Sequence, residues 1–522
     1  MIVRTLFGMT EATPPTYQHT DKKWPLWGFV LLLFPGLWLL RMFTAANSGA
    51  GLFVDEAQYW EWSRQLAWGY YSKPPLLPVL IKWSVWMGGD STAGVRWLVQ
   101  LCWAMVPLVL WRLAWEMQRD THARLSSPHA AGAWAAALMA SSLASGVLGQ
   151  VATTDGPLML CWALQMWLMW RALAQPHRWR RWVVLGVVLA LGLLSKYTMG
   201  AVLASWALWW LSHRSVAVTK GMALALGIAA LAMVPHVAWN QAHDWPTLKH
   251  TADLLTDGHT SVSSSWVAVA LRCVEYGAAQ ALVAGPVFWI MLVVALWDMK
   301  YHTTTPTSSS ASPARWAWQA SWPLWLIGAV QAMQGTAQIN WPAPALLGAC
   351  VALGWWLSSH TRHWRWRGPL GVVVVSALLA SALSLGGDWR QRLGLPAQKS
   401  QWDLWGRAKG WESALNPLRP LLAAHPDATW VALDRTLIVH AAYAWRDQPT
   451  LALSWQQTPF ALHHYDLLYR FDPTQHPEPI LLLVMGDLPA WVRTRYAQVQ
   501  LLSDPQPSGR QLFLWLLKDP NP

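Results

Sequence analysis

An acidic pair, Asp55–Glu56, stands just after the first long apolar segment, in GLFVDEAQYWEWSRQLAWGYYSKPPLLP (51–78). A lone lysine, Lys73, follows in front of two prolines. A carboxylate so placed can take a proton from an acceptor hydroxyl or amine as a general base. A lysine can hold a phosphate as a point charge. Other polar groups stand beside later apolar runs: Asp155 in TTDGPL, Lys196 in LLSKYT, and His243 and Asp244 in WNQAHDW with Lys249 beyond. Arg272 and Glu275 open one long run, and Gln334, Gln338 and Asn340 precede another. Ionisable groups at a membrane edge are costly and mark functional positions by default. Carboxylates facing cations at a lipid interface suit a substrate with a phosphate in the headgroup plane. A phosphate that leaves a carbon centre needs its developing charge stabilised, which a lysine or a metal does.

Each residue has a plainer reading beside the chemical one. Thr153-Thr154-Asp155 before Gly156-Pro157 is a good helix start, so Asp155 can simply cap. Asp55–Glu56 can likewise open a short interfacial helix near Ala57. Lys196 can snorkel to headgroups, and His243 can be a solvated loop histidine. Arg272 and Glu275, spaced i, i+3, can pair with each other. The aromatics at 59, 60, 62, 68, 70 and 71, Tyr70 and Tyr71 among them, form an interfacial belt first and a substrate surface second.

The elements that must carry these groups are apolar. The 522 residues are 54% hydrophobic and 12% charged, against roughly 25% charged in soluble domains. Spans of about the ~20 residues that cross a bilayer are expected at 24–44, 93–115, 129–148, 156–174, 182–195, 197–212, 221–239, 266–298, 319–335, 341–358 and 368–386. The net charge of +12 fits cytoplasmic loops better than nucleic acid. Lys22/Lys23, Arg112 to Arg124, Arg171 to Arg181, Arg214/Lys220, Lys300/Arg315 and Arg362 to Arg367 fall in alternate loops, which orients the N-terminus inward. Residues 45–92, 149–155, 196, 240–265, 336–340 and those after 387 then face outward, and the polar groups named above gather there. The link that sets the sidedness of everything after it is 182–212. Two helices hinged at Ser195-Lys196-Tyr197 are expected, because a lysine at mid-depth of one lipid-facing helix is costly.

Residues 1–23 read as a polar cytoplasmic tail without a signal-peptide cleavage pattern, 24–387 as the membrane domain, and 388–522 as a small outer α/β domain. In the last, strand-like runs lie at Thr429–Leu433, Thr450–Ser454, Ile480–Met485, Val499–Leu502 and Leu512–Leu517, with helical patterns around 436–446 and 458–469. KYHTTTPTSSSASPA, from Lys300, is a linker composition. The four cysteines sit in apolar runs and offer neither a disulfide framework nor zinc spacing.

VDEAQYWEWSRQLAWGYYSKPPLLPVLI, TTDGPLMLCWAL, GLLSKYT, WNQAHDW and NWPAPALLGACVAL, in that order, resemble the bacterial dolichyl-phosphate-mannose-protein mannosyltransferase-like family (glycosyltransferase family 39-like, GT-C fold). They are also similar to the 4-amino-4-deoxy-L-arabinose lipid A transferases. The resemblance implies an inverting glycosyltransferase of a bacterial inner membrane, with its active site on the periplasmic face. Its donor would be a sugar on undecaprenyl phosphate, and its acceptor lipid A, another cell-surface glycan, a lipid or a protein. By position it implies Asp55 as the base, Glu56 as its helper, and Asp155 as a structural or active-site acid. Lys73 and Lys196 are implied on the donor phosphate, with His243, Asp244 and Lys249 in a loop over the donor. Arg272, Tyr70 and Tyr71 complete the candidate substrate-binding set. The arabinose transferases carry an acid linked to a metal site just before the lysine; here it is Ser72, so no metal ligand is assigned and a divalent ion stays open. The other reading, a lipid-linked saccharide transporter or flippase, requires charges spread along a path and paired helix breaks at mid-depth, whereas these charges cluster at one face.

Overall fold

Backbone without water to bond to folds as helix, and the apolar runs do so. The structure is a computed structural model that describes residues 26–47, 49–121, 129–256, 265–285, 313–335, 337–360, 405–448, 451–476, 478–503 and 510–521, with isolated positions in 288–297 and at 371 and 375. The chain divides into two compact units. One holds the residues to Thr44, Arg96–Ala238 and Thr251–Leu383; the other holds Ala45–Val95, Trp239–His250 and Ser384–Pro522.

The first unit is helical. Thr92–Asp120, Val216–Ala242 and Trp266–Ala284 are the 3 described helices long and apolar enough to cross a bilayer singly. Exposed Leu231, Val234 and Val237 on the second, and Val267, Leu271 and Val274 on the third, suit acyl chains. Ala130–Ser141 and Leu143–Gln150 are long and apolar enough only together and are bent by 60°, the shape of a broken span or a re-entrant loop. The bend has a cause: Ser142 leaves helical geometry at ψ 144° and its hydroxyl accepts the Ser145 N–H at 3.2 Å, so it caps the second piece. The expected 319–335 span holds one helix, Trp322–Gln334, and a short helix, Pro313–Trp318, precedes it. The helix Trp179–Ser195 ends one residue before Lys196, which is extended (φ −157°, ψ 134°), and a 3₁₀ turn, Tyr197–Ala201, leads into Val202–Ser212. The hinge therefore lies where the lysine argument put it. The expected span at 368–386 lies outside the described residues, apart from two isolated positions.

The second unit contains a five-stranded sheet, order β2-β1-β3-β5-β4, from β1 (Thr429–Ala432), β2 (Leu453–Ser454), β3 (Ile480–Met485), β4 (Tyr496–Ser503) and β5 (Leu512–Pro520). β1 runs parallel to β2 and β3, while β3–β5 and β5–β4 are antiparallel. Val431, Leu482, Val484, Trp515 and Leu517 fill its core with Trp455 and Phe471. Two helices from the loop after the first apolar segment, Val54–Arg64 and Leu76–Gly88, belong to this unit. Arg435–Ala444 packs on Val54–Arg64 through the Tyr443 ring, 5.0 Å edge-on to Trp60. Trp60 Nε1 donates to Asp90 at 2.8 Å.

Candidate active site

The predicted residues fall into two groups, one in each unit. In the second unit the helix Val54–Arg64 sorts its own acids by burial. Glu56 is fully buried, and its carboxylate accepts the Phe53 N–H at 3.0 Å, which satisfies a donor at the helix start. Glu61 is buried too, and its Oε2 accepts the Tyr465 hydroxyl at 2.9 Å. Burial is the largest effect on Glu61 and raises its pKa to about 7, against the lowering effects of Tyr465 and Arg64. Asp55 is the acid that faces outward, its side chain 53% exposed. Its Oδ1 accepts Arg435 Nη2 at 3.1 Å, and the other arm of that guanidinium, Nη1, donates to Gln58 Oε1 at 2.9 Å. As an anion in a first turn, Asp55 also sits favourably on the helix dipole.

The aromatic stretch beyond the helix is mostly internal packing. Tyr70 is 1% exposed and stacks on Trp62 at 4.5 Å. Its hydroxyl accepts the Ala67 N–H at 3.0 Å and donates to Trp62 O at 3.2 Å. Its carbonyl accepts Thr247 Oγ1 at 2.6 Å. Tyr71 donates its hydroxyl to Ala461 O at 3.0 Å. Burial drives His464, whose ring meets Trp62 and Tyr70, down to about 3, so this ring is a neutral packing group. Lys73 is half-buried, and its carbonyl accepts the Tyr70 N–H at 3.2 Å, which closes the turn ahead of Pro74.

His243, Asp244 and Lys249 lie on a tight connection. The His243 ring stacks on Trp239 at 4.3 Å, and its Nδ1 meets the Trp239 carbonyl at 2.8 Å. Asp244 and Trp245 are both left-handed, at φ 61° and 60°, which costs non-glycine residues free energy and marks functional loops when it persists. Asn240 holds the turn: its carbonyl accepts the Trp245 N–H at 2.7 Å and its Oδ1 accepts the Thr247 N–H at 3.2 Å. Asp244 and Lys249 are exposed.

In the first unit, Asp155 is the opening residue of Asp155–Ala174 and both of its oxygens have partners. Oδ1 meets Lys196 Nζ at 2.7 Å, and Oδ2 accepts Asn340 Nδ2 at 3.0 Å. The side chains of Lys196 and Asp155 are 11% and 5% exposed. Ser195 Oγ donates to Thr154 O at 2.8 Å, which ties the helix end to the same spot. Next in the chain, the Tyr197 hydroxyl meets His236 Nε2 at 2.5 Å, with His236 1% exposed. The N-cap position is Thr154 and no side chain caps the helix, so Asp155 acts here through its ion pair rather than as a cap. Arg272 donates Nε and Nη2 to Ala332 O and Met333 O, at 3.1 and 3.0 Å. That is a cation on the last carbonyls of Trp322–Gln334.

Sequence reasoning missed Arg435, Glu61 and His236. Arg435 follows Asp434, a helix cap whose carboxylate accepts the Thr436 N–H at 2.6 Å, and nothing local linked it to a residue far upstream. His236 had a signal: a histidine after Pro235 inside an apolar run. Ser72 offers no carboxylate beside Lys73, and among the described residues no three His, Cys, Asp or Glu side chains come together as ligands. Among the described residues this stretch therefore presents no metal-ligand set.

Two solved structures share this architecture. ArnT from Cupriavidus metallidurans matches over 94% of this chain and 98% of that one, at TM-score 0.60 and 12% identity in the apo state. The same protein bound to undecaprenyl phosphate matches at TM-score 0.62 and 13% identity. The chain is therefore a helical membrane protein of the GT-C fold that ArnT adopts. The sequence pattern of the family described as dolichyl-phosphate-mannose-protein mannosyltransferase matches residues 72–239. The lipid A galacturonosyltransferase RgtD of Rhizobium johnstonii is 27% identical over 329 residues, 63% of this chain and 65% of that protein, so about a third of that relative's length lies outside the match. In sequence the chain is thus similar to the dolichyl-phosphate-mannose-protein mannosyltransferases over residues 72–239 and to RgtD over a longer stretch.

Proposed function

We propose that the chain is a membrane glycosyltransferase that moves a sugar from a polyprenyl-phosphate donor to a lipid or glycan acceptor at the outer face of a bacterial inner membrane. The observation that carries the mechanism is the sorting of acids on Val54–Arg64. Glu56 and Glu61 are buried and hydrogen-bonded, whereas Asp55 presents an exposed carboxylate. Asp55 takes the proton of the acceptor hydroxyl or amine. The acceptor atom forms its bond to the anomeric carbon as the carbon–oxygen bond to the phosphate breaks on the opposite face, which inverts the configuration. Lys73 and Lys196 are the cations assigned to the donor phosphate, and they stabilise the charge that grows on it. Asp155, itself bonded by Asn340, holds Lys196 in place. His243, Asp244 and Lys249 belong to the loop over the donor. The RgtD and ArnT matches support a lipid-phosphate donor and make lipid A the first acceptor to assay.

The membrane domain has about eleven spans in this proposal, with the tail 1–23 inside and residues from 388 outside. One feature of the second unit supports it: residues 45–95, 239–250 and 384–522 share one compact body. All three stretches must then lie on one side of the bilayer, so an even number of spans must separate each from the next. The expected spans satisfy this only when 182–212 counts as two, and the break at Lys196 supports two.

The test is mass spectrometry of surface glycolipids from cells with and without the chain, beside cells carrying Asp55→Asn. A mass difference of one sugar that disappears in Asp55→Asn is expected. Transfer at the wild-type rate by Asp55→Asn overturns the base assignment, and absence of any sugar difference overturns the acceptor class.

A further inference from the structure

We infer that Arg435 is the positioning residue for Asp55, a role that rests on the proposed use of Asp55 as the base. Asp55 and Gln58 are i, i+3 neighbours on one face of Val54–Arg64, and the guanidinium fork of Arg435 spans both, at 3.1 and 2.9 Å. Gln58 is only 3% exposed, so its amide is a fixed stop for one arm of the fork. The planar guanidinium then fixes where the other arm meets Asp55.

The root of Arg435 is fixed as well. It is the first residue of Arg435–Ala444, behind the Asp434 cap. At the far end of that helix Tyr443 packs on Trp60 and meets Thr92 Oγ1 at 3.3 Å. The two helices are thereby held together at both ends.

The bonding divides the labour of the carboxylate. Oδ1 accepts from Arg435, while Oδ2 has no hydrogen-bond partner among the described residues. A carboxylate pinned by one oxygen presents the other in a set direction, the condition under which a base meets an incoming hydroxyl in reactive geometry. Stability does not explain the pair. Both side chains are partly exposed, at 35% and 53%, and such ion pairs add little to folding. The proposed base is therefore set in place by a residue of the same compact unit that lies more than three hundred positions later in the chain.

The experiment uses the full chain and compares wild type, Arg435→Ala, Arg435→Lys, Gln58→Leu, Asp55→Asn and the Asp55→Asn/Arg435→Ala double variant. Sugar transfer to surface glycolipid is followed by mass spectrometry in cells. Binding of undecaprenyl phosphate to the purified protein and its thermal unfolding are measured in parallel. Arg435→Ala is expected to slow transfer by about 10- to 100-fold, with undecaprenyl phosphate affinity and melting temperature kept. Arg435→Lys recovers part of the rate, because it keeps the charge and loses the fork. Gln58→Leu, which frees the fork without removing charge, falls in between. The double variant is no slower than Asp55→Asn. Wild-type transfer by Arg435→Ala alongside an inactive Asp55→Asn overturns this inference and leaves the base assignment standing. Equal loss of undecaprenyl phosphate binding in Arg435→Ala, or a fall in melting temperature that accounts for the rate and is shared by Gln58→Leu, also overturns it. Wild-type transfer by Asp55→Asn removes the base reading itself.

Discussion

Glu61 and Tyr465 form a buried acid–phenol pair inside the second unit, at 2.9 Å. Desolvation moves Glu61 from its ordinary 4.5 to about 7. The folded-state value lies above the unfolded one, so between about 4.5 and 7 the folded chain holds the extra proton. Stability then falls as pH rises through that window and is level above it, a loss of about 3 kcal/mol. Glu61→Gln, which keeps the shape and the hydrogen bond without the charge, is expected to melt higher than wild type at pH 8 and alike at pH 5. Melting curves that run parallel across that range sink the prediction. The Asp155–Lys196 pair behaves differently, because both partners are charged and enclosed. Asp155→Ala leaves the Lys196 ammonium, 11% exposed, without its counter-charge, at a cost of about 3–5 kcal/mol. Adding Lys196→Met to Asp155→Ala should recover part of that loss in thermal unfolding, while transfer stays low; losses that simply add would show that the two residues do not act as a pair. At this scale the sequence was informative about which residues are unusual and silent about their partners. Asp155, Lys196 and Asn340 could each be singled out, and two of them do lie on Asp155. Tyr70 could not be separated from a binding aromatic, because burial by Trp62 and Thr247 is a product of the folded loop.

Among the elements, helix pairing in the first unit depends on small residues. Ala130–Ser141 packs on Ala345–His360, and Ala133, Ala136, Ala137 and Ala140 are buried with Leu37. Without a hydrophobic drive between helices in lipid, such close approach is what gives packing energy. A Cβ at Gly354 would lie 2.7 Å from both Ala131 O and Ala135 N. Gly354→Val should therefore destabilise the fold by roughly 1–3 kcal/mol, read as a lower melting temperature in detergent. Gly227→Ala, in a helix where nothing lies within 4 Å, should be neutral or better. Equal behaviour of the two variants would refute the close-packing account. The strands show how far local pattern reaches: β3 (Ile480–Met485) has the expected bounds, and β1, β4 and β5 differ from expectation only at their ends. β2 shrinks to Leu453–Ser454, a strand paired with β1 on one side and with the single bridge residue Arg470 on the other. The bend at Ser142 was not legible, since a serine in an apolar run can bond back within its own helix or cap the next.

For the molecule as a whole, membrane sidedness was read from the distribution of Lys and Arg, and the second unit supplies an independent constraint. Tyr70 and Tyr71 of the first outer loop, Thr247 and His250 of the later connection, and Ala461 and His464 touch one another within that unit. If 182–212 were a single helix, the charge rule would send residues 45–95 and 384–522 to opposite sides, and these contacts could not form. The prediction follows from two exposed aromatics of the unit, Trp68 at 58% and Phe460 at 65%. In a background with Cys102, Cys161, Cys273 and Cys350 replaced by alanine, Trp68→Cys and Phe460→Cys should both react with a membrane-impermeant maleimide in intact spheroplasts. A cysteine at Ser308, in the Ser/Thr/Pro stretch read as a cytoplasmic loop, should react only after the membrane is opened. Alkaline phosphatase fused after Pro522 should be active. Labelling of Trp68→Cys and Phe460→Cys from opposite sides would break the unit and restore the single-helix reading of 182–212. Labelling of both only from within would keep the unit and invert the chain, placing Asp55 on the cytoplasmic face, where the proposed periplasmic transfer cannot occur.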